Sequence, residues 1–586
     1  MTFKKIQVKN FRNFDDISVN LGNKNVFFGM NDIGKTNFLC AIRYLFDREM
    51  RKRDIIESDY FKRNISAPIE IAVAIDITEE TDDVKNLRSK FKGCVGSDDT
   101  LLYIKLIAEY NEQENRADIR IFWGGNENNL YEVKVSGGGY FDLDLVFHVY
   151  YINSYVDLEN LFKRNINALV KKDEASIEAD RKTEIAIEEK VSEINTEISK
   201  LSGVKSFEGK LTPSYKKMRD EDISITVKSD FAISYLYSSI VPYIHKEGES
   251  NEYPTQGEGR KKLVAYSVYN ILAENTADKK INLFLIEEPE THLHRSMQSA
   301  LSHFLFNSEA NDNTLNYLFI STHSPFVLSE MDDVNLARLY NSDKISSGSS
   351  FYEIPTEWSY VKKKLNRALS EAIFADTVLL VEGESEALLF ERVLYVIDPY
   401  YESKGAYVIS VEGIGFKPYI ALLTKLGIKC IAKTDNDITK KAQTAEEKLE
   451  SMPIKYQTLG FSRVNSLVTL IARENKNLLE CKTDLTKADA TDGEKRKRYR
   501  DNIETLNVIR KEYNIHLSRC GFEEDLYECL GKKRLVTLLG NDPVKVLKIA
   551  KHYSMVKLIN KLTKEDCNKI YKHYNFACLK AVIGCE

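Results

Sequence analysis

Residues 29–36 read Gly-Met-Asn-Asp-Ile-Gly-Lys-Thr, and this stretch constrains the fold more than any other part of the sequence. It lies between an apolar run at 25–28, which predicts a buried strand, and a helical stretch at 37–46. A chance match in a Gly- and Asn-rich loop is the alternative, but both flanking elements are present. In this context the pattern G-x-x-x-x-G-K-[ST] forms a loop whose backbone N–H groups surround phosphate oxygens.

The sequence therefore predicts an α/β nucleotide-binding fold with ATP and Mg²⁺ at this loop. Lys35 would pair with the β- and γ-phosphates, and Thr36 would hold the metal ion. The predicted nucleotide contacts in the loop are Gly29, Asn31, Gly34, Lys35, Thr36 and Asn37.

Two later apolar runs end in polar residues of the kind that a nucleotide site needs. Residues 283–286 precede Glu287 and Glu288, and residues 318–320 precede a Ser-Thr-His stretch that ends at His323. We predict Glu287 as a metal ligand through water and Glu288 as the base that positions the attacking water. Alone, His323 would more often be a structural histidine. As the third motif in this order it is predicted to contact the γ-phosphate.

Length and composition describe a multidomain globular protein. A chain of 586 residues predicts two to four domains, and 43% hydrophobic with 29% charged residues is an ordinary globular balance. No apolar run is long enough to span a membrane, so we expect a cytoplasmic protein. The nine cysteines occur singly, which argues against a zinc site or a disulfide framework. A net charge of −5 does not indicate nucleic-acid binding, yet it leaves room for a local basic track.

The character of the chain changes near Asp157, where Gly and Pro become rare and a helical arm begins. Apolar residues recur there at helical spacing, at Ile187, Val191, Ile194, Ile198 and Leu201. Because a strand pattern returns at 281–286, the arm interrupts the nucleotide-binding domain. The predicted division is 1–155 for its first part, 156–248 for the helical insertion, 249–348 for its second part and 349–586 for a further α/β domain.

A second set of acids follows predicted strands in the last third of the chain. Glu382 follows the apolar run 377–381, Glu386 lies about one helical turn further on, and Asp435 and Asp437 follow another short strand. Spacing of i, i+2 puts these two aspartates on one face if the strand continues that far. Hard oxygen ligands at a sheet edge suit Mg²⁺ or Mn²⁺. Any one of these acids alone would be read as a solvated strand end, but the ordered set predicts a metal site.

The three nucleotide motifs resemble those of ABC-type ATPases of the SMC and RecF kind, and the ordered acids resemble the Toprim pattern of one Glu followed by Asp-x-Asp. In this order they resemble the OLD family of nucleases, which joins an ABC ATPase, split by a helical dimerisation insertion, to a Toprim domain. Two features depart from the ATPase pattern. No LSGGQ signature is present, with residues 254–262 in its place, and Glu287 replaces the commoner Asp.

Three shorter stretches resemble, more narrowly, the nuclease subunits of Gabija anti-phage systems. They are residues 11–14, the phosphate loop as it runs on into 37–38, and residues 293–298. The resemblance implies a Mg²⁺-dependent, nucleotide-regulated endonuclease that nicks or cleaves double-stranded DNA in anti-phage defence. It also implies a homodimer or dimer of dimers and a UvrD-like (GajB-like) helicase subunit as partner.

The resemblance assigns roles to residues of this chain. The metal-binding acids would be Glu382, Glu386, Asp435, Asp437 and Asp525, with Glu523 and Glu524 as alternatives to the last. A late basic residue should neutralise the phosphate, and we assign Lys551, with Lys557 and Lys580 as alternatives because no short motif fixes that position. A Toprim domain with a helical insertion from about 440 to 513 completes the predicted fold.

Two other functional classes fit parts of the sequence. An SMC- or RecF-like clamp would use ATP to bind DNA without cutting it. The arm is too short for a long SMC coiled coil, and a scaffold has no need of the full acidic set. A primase or topoisomerase could also use a Toprim domain, but the chain leaves no room for a dedicated domain carrying a nucleophilic tyrosine. We therefore favour the nuclease.

Overall fold

The computed structural model describes most of the chain. The residues it describes are 1–30, 32–90, 95–96, 98–136, 140–169, 177–218, 223–226, 243–244, 253–254, 257–274, 280–306, 317–341, 344–354, 362–412, 415–442 and 453–584. The predicted nucleotide contact Asn31 lies outside these residues, as does part of the segment that replaces the ATPase signature. Within them, no helix is long and apolar enough to cross a membrane.

The part of the chain before residue 355 is built from sixteen described strands and eight described helices. The strands are β1 (Thr2–Phe11), β2 (Phe14–Asn20), β3 (Lys24–Phe28), β4 (Ile69–Asp76), β5 (Leu101–Asn111), β6 (Arg116–Asn126), β7 (Asn129–Glu132), β8 (Val135–Ser136), β9 (Tyr140–Phe141), β10 (Phe147–Ile152), β11 (Tyr243–Ile244), β12 (Tyr253–Pro254), β13 (Ile281–Glu287), β14 (Tyr317–Ser321), β15 (Val334–Asn341) and β16 (Ile345–Tyr352). The helices are α1 (Lys35–Phe46), α2 (Arg48–Arg51), α3 (Asp82–Lys90), α4 (Leu158–Leu169), α5 (Ile177–Lys200), α6 (Ser202–Met218), α7 (Glu258–Glu274) and α8 (Arg295–Phe306).

Two six-stranded sheets form this part. The first is antiparallel, in the order β2-β1-β4-β5-β6-β7, and residues of β4 alternate between buried and half-buried, as expected for a sheet with one face on a core. The second has the order β10-β13-β14-β3-β15-β16, in which only β16 runs antiparallel to its neighbour. Strands β3 and β10 precede the arm, whereas β13, β14 and β15 follow it. Both segments therefore complete one sheet, as expected of an interrupted domain.

The described part of the arm up to residue 218 forms helices α4, α5 and α6, which agrees with the sequence pattern, whereas residues 243–244 near the end of the predicted insertion form strand β11. Some of the arm's apolar side chains are exposed: Leu201 is 59% exposed and Ile194 is 50% exposed. The dimerisation role of the arm stays a prediction.

The C-terminal part contains a parallel four-stranded sheet in the order β18-β17-β19-β22, surrounded by helices. Its strands are β17 (Thr377–Val381), β18 (Ala406–Ser410), β19 (Lys429–Thr434), β20 (Ile438–Lys440), β21 (Tyr456–Thr458) and β22 (Ile515–Leu517). Its helices are α9 (Lys362–Ala372), α10 (Glu384–Ile397), α11 (Phe416–Lys425), α12 (Leu459–Ala472), α13 (Asp492–Asp501), α14 (Ile503–Tyr513), α15 (Phe522–Leu530), α16 (Lys532–Leu539), α17 (Pro543–Ile549), α18 (Lys551–Ile559), α19 (Lys564–Lys572) and α20 (Cys578–Val582). Helices α12, α13 and α14 form the predicted helical insertion.

Candidate nucleotide and nuclease sites

The phosphate loop is held in shape by an asparagine from the turn between β1 and β2. Asn13 Nδ2 donates to the carbonyl oxygen of Ile33 at 2.8 Å, and Asn37 Nδ2 donates to Asn13 Oδ1 at 2.9 Å. Gly34 has φ +97, and a methyl group there would lie 2.0 Å from Asn13 Nδ2. Only glycine fits this close approach in a left-handed conformation. The stretch 11–14 therefore supports the loop, a role that its sequence did not indicate.

Lys35 begins α1 with its side chain folded back over the loop. Its Nζ donates to the carbonyl oxygens of Gly29 at 3.1 Å and Met30 at 2.7 Å. Burial lowers the pKa of Lys35 to about 8, against the opposite effect of nearby carboxylates. The amine is thus already desolvated where the predicted phosphates would lie.

Glu287 ends β13 directly opposite the loop. Its carboxylate accepts hydrogen bonds from the Thr36 hydroxyl and from the Tyr151 hydroxyl. Thr36 and Glu287 are the two predicted contacts of a nucleotide-bound Mg²⁺, and the fold places them side by side. Tyr151 escaped the sequence analysis. It lies in β10, which pairs with β13, and the Arg43 guanidinium packs 3.7 Å from its ring centroid.

The residues after β13 and β14 complete the nucleotide site. Glu288 adopts a left-handed conformation with φ +42, and His323 Nε2 lies 3.5 Å from its Oε1. Glu290 accepts hydrogen bonds from the backbone N–H of His323 at 2.7 Å and from Thr322 Oγ1 at 2.9 Å. Burial lowers the pKa of His323, and the positive charge of Lys35 adds to this effect. A neutral imidazole is therefore favoured beside Glu288.

These residues line a cavity of about 700 Å³, large enough for a nucleotide. Its walls are Asp32, Gly34, Lys35, Thr36, Asn37, Glu288, Glu290, Thr291 and His323. The donor groups fit the triphosphate and its metal ion in kind, with a cationic amine on one side and carboxylates on the other.

Lys262 supports this site from helix α7. Its side chain is buried, and its Nζ donates to the carbonyl oxygens of Glu288 at 2.8 Å and Ser154 at 3.3 Å. Lys262 belongs to the segment that replaces the ATPase signature. The lysine of that segment holds the turn that follows β13 in its own chain.

The acids of the C-terminal part meet at the carboxyl ends of β17 and β19. Glu382 Oε1 accepts hydrogen bonds from the backbone N–H of Asp435 at 2.8 Å, from Thr434 Oγ1 at 2.5 Å and from the Arg463 guanidinium. Arg463 Nη2 also lies 3.8 Å from Asp437 Oδ2. The helical insertion thus places a cation among the predicted metal ligands, which the sequence analysis did not foresee.

Asp435 presents a buried carboxylate oxygen in this cluster. Its Oδ1 is buried and has no hydrogen-bond partner among the residues that the structure describes. Burial, reinforced by the charge of Glu382, raises the pKa of Asp435 to about 7. A buried carboxylate oxygen without a partner fits a divalent cation, which prefers hard oxygen ligands.

Two expectations about this cluster differ from the structure. Strand β19 ends at Thr434, so Asp435 and Asp437 do not lie on one strand face. The chain turns because Asn436 is buried and donates to the Arg519 carbonyl oxygen at 3.2 Å.

The predicted metal ligand Glu386 is hydrogen-bonded to the backbone. Its Oε2 accepts from the backbone N–H groups of Glu382 at 2.7 Å and Gly383 at 3.2 Å. This carboxylate therefore stabilises the start of α10.

The late acids and lysines are also placed differently from our assignment. Asp525 Oδ2 lies 3.3 Å from Lys433 Nζ, and both side chains are almost fully buried. A methyl group at Gly521 would lie 2.7 Å from Glu524 Oε2 and 3.8 Å from Asp435 Oδ2. Glu524, rather than Asp525, therefore faces the cluster.

The basic residue beside Glu524 is one that we did not consider. Lys548 forms an ion pair with Glu524, whereas the side chain of Lys551 is 67% exposed and its Nζ lies 3.9 Å from Glu523 Oε1. Lys557 packs on the Tyr553 ring, 4.3 Å from its centroid. Lys548 lies in the last turn of a short helix, and no sequence pattern distinguished it from its neighbours.

The predicted metal ligands lie at one edge of the sheet, but they do not form a complete metal site. Within the described residues, no three His, Cys, Asp or Glu side chains are grouped so that they could hold a metal ion. Arg463 lies between Glu382 and Asp437, and Glu386 is engaged with the backbone. The donor chemistry fits a divalent ion, although the spacing of the carboxylates does not by itself define a complete site.

Comparisons with known proteins agree with this architecture. Residues 1–132 and 150–328 match the family described as "AAA ATPase domain", and residues 373–437 match "Overcoming lysogenization defect protein-like, TOPRIM domain". An "Endonuclease GajA" of Bacillus cereus (strain VD045) is 40% identical over 600 residues, which cover 100% of each chain.

The chain belongs to the GajA family of endonucleases. A second GajA protein, from Bacillus cereus (strain HuB5-5), is 25% identical over 253 residues, covering 37% of this chain and 36% of that one. The "Old nuclease" of Escherichia phage P2 is 24% identical over 556 residues, covering 87% of this chain and 88% of that protein. Membership of the GajA family confirms the predicted order of an ATPase domain followed by a Toprim domain of the OLD type.

Proposed function

We propose that this chain is a nucleotide-regulated, metal-dependent endonuclease that cuts double-stranded DNA in anti-phage defence. The observation that carries the proposal is the acidic cluster at the ends of β17 and β19, with the unpartnered buried oxygen of Asp435 beside Glu382. A relative named as an endonuclease that aligns across the full length of the chain supports the reaction class, and the name GajA supports the role in defence.

In this proposal Glu382, Asp435 and Asp437 hold Mg²⁺ or Mn²⁺. Such an ion activates water and stabilises the leaving oxygen of a phosphodiester. Glu386 keeps the turn that presents Glu382, because it caps the backbone N–H of that residue. Glu524 replaces Asp525 as the additional acid because it lies across Gly521 from Asp435, and Lys548 replaces Lys551 as the cation that neutralises the scissile phosphate because it pairs with Glu524.

The nucleotide site acts as the regulator. Lys35, Thr36 and Glu287 would bind the phosphates and their metal ion, with Glu288 and His323 on the γ-phosphate side. The family resemblance adds a homodimer or dimer of dimers, assembled through the arm, and a UvrD-like helicase subunit as partner in the cytoplasm.

Nicking of supercoiled plasmid by the purified full chain tests the proposal. We expect cleavage with Mg²⁺ that is lost on addition of EDTA, and a loss of at least about a hundredfold in Glu382→Ala and Asp435→Ala because each removes a metal ligand. Glu384→Ala is the matched control, since Glu384 is an exposed acid on the first turn of α10, two residues after Glu382. Cleavage retained by both ligand variants would refute the metal site. DNA binding by wild type without cleavage would instead favour the ATP-driven clamp.

A further inference from the structure

Helices α17 and α18 carry an unusual concentration of positive charge for this chain. Residues 543–564 contain six lysines and one histidine but no Asp or Glu, in a protein whose net charge is −5. All six lysines are exposed, and Lys545, Lys548, Lys551 and Lys557 lie on α17 and α18. Lys548 and Lys551 lie beside glutamates of α15, and the positive charge of the remaining lysines favours an anionic partner.

Apolar side chains lie exposed among these lysines. Ile549 is 74% exposed, Tyr553 is 64% exposed and Val556 is 38% exposed. Lys557 Nζ lies 4.3 Å from the centroid of the Tyr553 ring, so one face of the ring is beside a cation. Single exposed apolar residues are common, but a cluster rimmed by charge indicates a binding surface.

This surface adjoins the acidic cluster. Lys548 pairs with Glu524, and Lys551 Nζ lies 3.9 Å from Glu523 Oε1, both in the first turn of α15. Glu524 in turn lies across Gly521 from Asp435. A polymer bound along α17 and α18 would therefore lead into the place where we propose that DNA is cut.

We infer that α17 and α18 bind a DNA strand whose bases are unpaired and deliver its backbone to the acidic cluster. The lysines would contact phosphates, while Tyr553 and Ile549 would pack against exposed base faces. In an intact duplex the base faces are covered by stacking, so these two side chains fit DNA only where its strands part. The inference rests on the proposed nuclease function and specifies the form of DNA that the site takes.

A second copy of this chain is the alternative occupant of the surface. If two copies met symmetrically through α17 and α18, the lysines of one copy would face the lysines of the other. Like charges brought together in this way are unfavourable. The charge of the surface therefore favours the nucleic acid.

The experiment compares two DNA probes by fluorescence anisotropy in EDTA buffer, where cutting is prevented. One probe is a blunt duplex, and the other is a forked duplex with the same paired sequence and two unpaired arms. We expect Tyr553→Ala to weaken binding of the fork by about fivefold or more and to leave the blunt duplex unchanged. Lys557→Gln should weaken both complexes and reduce the slope of log affinity against log salt by about one.

Matched controls use exposed residues elsewhere on the chain. Tyr400→Ala removes a tyrosine that is 71% exposed in the loop after α10, and Lys205→Gln removes an exposed lysine of the arm. Both should bind the two probes as wild type does. Thermal unfolding verifies that each variant is folded. We expect all of them to fold, because the substituted side chains are exposed.

The outcomes distinguish failure of the inference from failure of the proposed function. If Tyr553→Ala and Lys557→Gln bind both probes like wild type while wild type nicks plasmid, the inference fails and the nuclease stands. If these variants instead lower the mass measured by light scattering and leave DNA binding unchanged, the surface joins two copies and the inference is wrong. If wild type neither binds DNA nor nicks plasmid, the proposed function fails together with the inference.

Discussion

At the residue scale, the acidic cluster depends on a cation that comes from elsewhere in the chain. The Arg463 guanidinium contacts Glu382, lies 2.7 Å from Thr434 Oγ1 and lies 3.8 Å from Asp437 Oδ2. A positive charge reduces the mutual repulsion of carboxylates and competes with a divalent ion for the same oxygens. The acids could be predicted because each follows an apolar run. Arg463 could not, because it reaches them only through the packing of α12.

Removing this charge should strengthen metal binding. We expect Arg463→Gln to bind Mn²⁺ several-fold more tightly than wild type in calorimetry, since Glu382 and Asp437 lose their protein counter-charge. Arg473→Gln, at the exposed end of the same helix, is the control and should leave Mn²⁺ affinity unchanged. Weaker binding by Arg463→Gln would show instead that Arg463 holds the ligands in position.

At the element scale, strands were predicted well and their ends less well. The run 377–381 is strand β17, as predicted, because an apolar run bounded by polar residues is a local pattern. The end of β19 is not a local property. Gly460 of α12 packs against the chain after that strand, and its backbone N–H donates to the Asp437 carbonyl oxygen at 3.0 Å. For the same reason the orientation of the Asp525 side chain on α15 could not be predicted, since it is set by its ion pair with Lys433 of strand β19.

The contact of α12 with this turn gives a prediction about stability. A methyl group at Gly460 would lie 2.6 Å from the Asp435 carbonyl oxygen and 2.9 Å from the Asp437 backbone nitrogen. We expect Gly460→Ala to lower the free energy of unfolding by about 1–3 kcal/mol and to weaken Mn²⁺ binding, because the turn must shift.

The control for this prediction is a helical glycine with space around it. At Gly493 in α13, the nearest atom to an added methyl group is Thr491 Oγ1 at 3.8 Å. Gly493→Ala should leave Mn²⁺ binding unchanged and raise the free energy of unfolding by up to about 1 kcal/mol, since alanine favours a helix. Chemical denaturation of both variants measures these differences, and equal stability of Gly460→Ala and wild type would contradict the packing argument.

At the scale of the whole molecule, the arm is the element that a single copy leaves incomplete. Ile185 and Ile194 of α5 are each 50% exposed, and Leu201 and Phe207 just beyond it are 59% and 56% exposed. Apolar residues that stay exposed in one chain favour packing against another surface. Strands that precede the arm in the chain and strands that follow it form one sheet, to which the arm contributes no strand. The arm is therefore available for assembly rather than needed for this sheet.

This argument predicts that charge on the arm will reduce the size of the assembly without unfolding the chain. We expect Ile194→Glu combined with Leu201→Glu to lower the mass measured by sedimentation to that of a smaller assembly, because each carboxylate would be buried without a partner. Thr196→Glu is the control, since Thr196 is exposed on the same helix. The thermal unfolding midpoint of the sheets should be preserved in both variants. An unchanged mass in the double variant would assign assembly to another surface and leave the exposed arm without its predicted role.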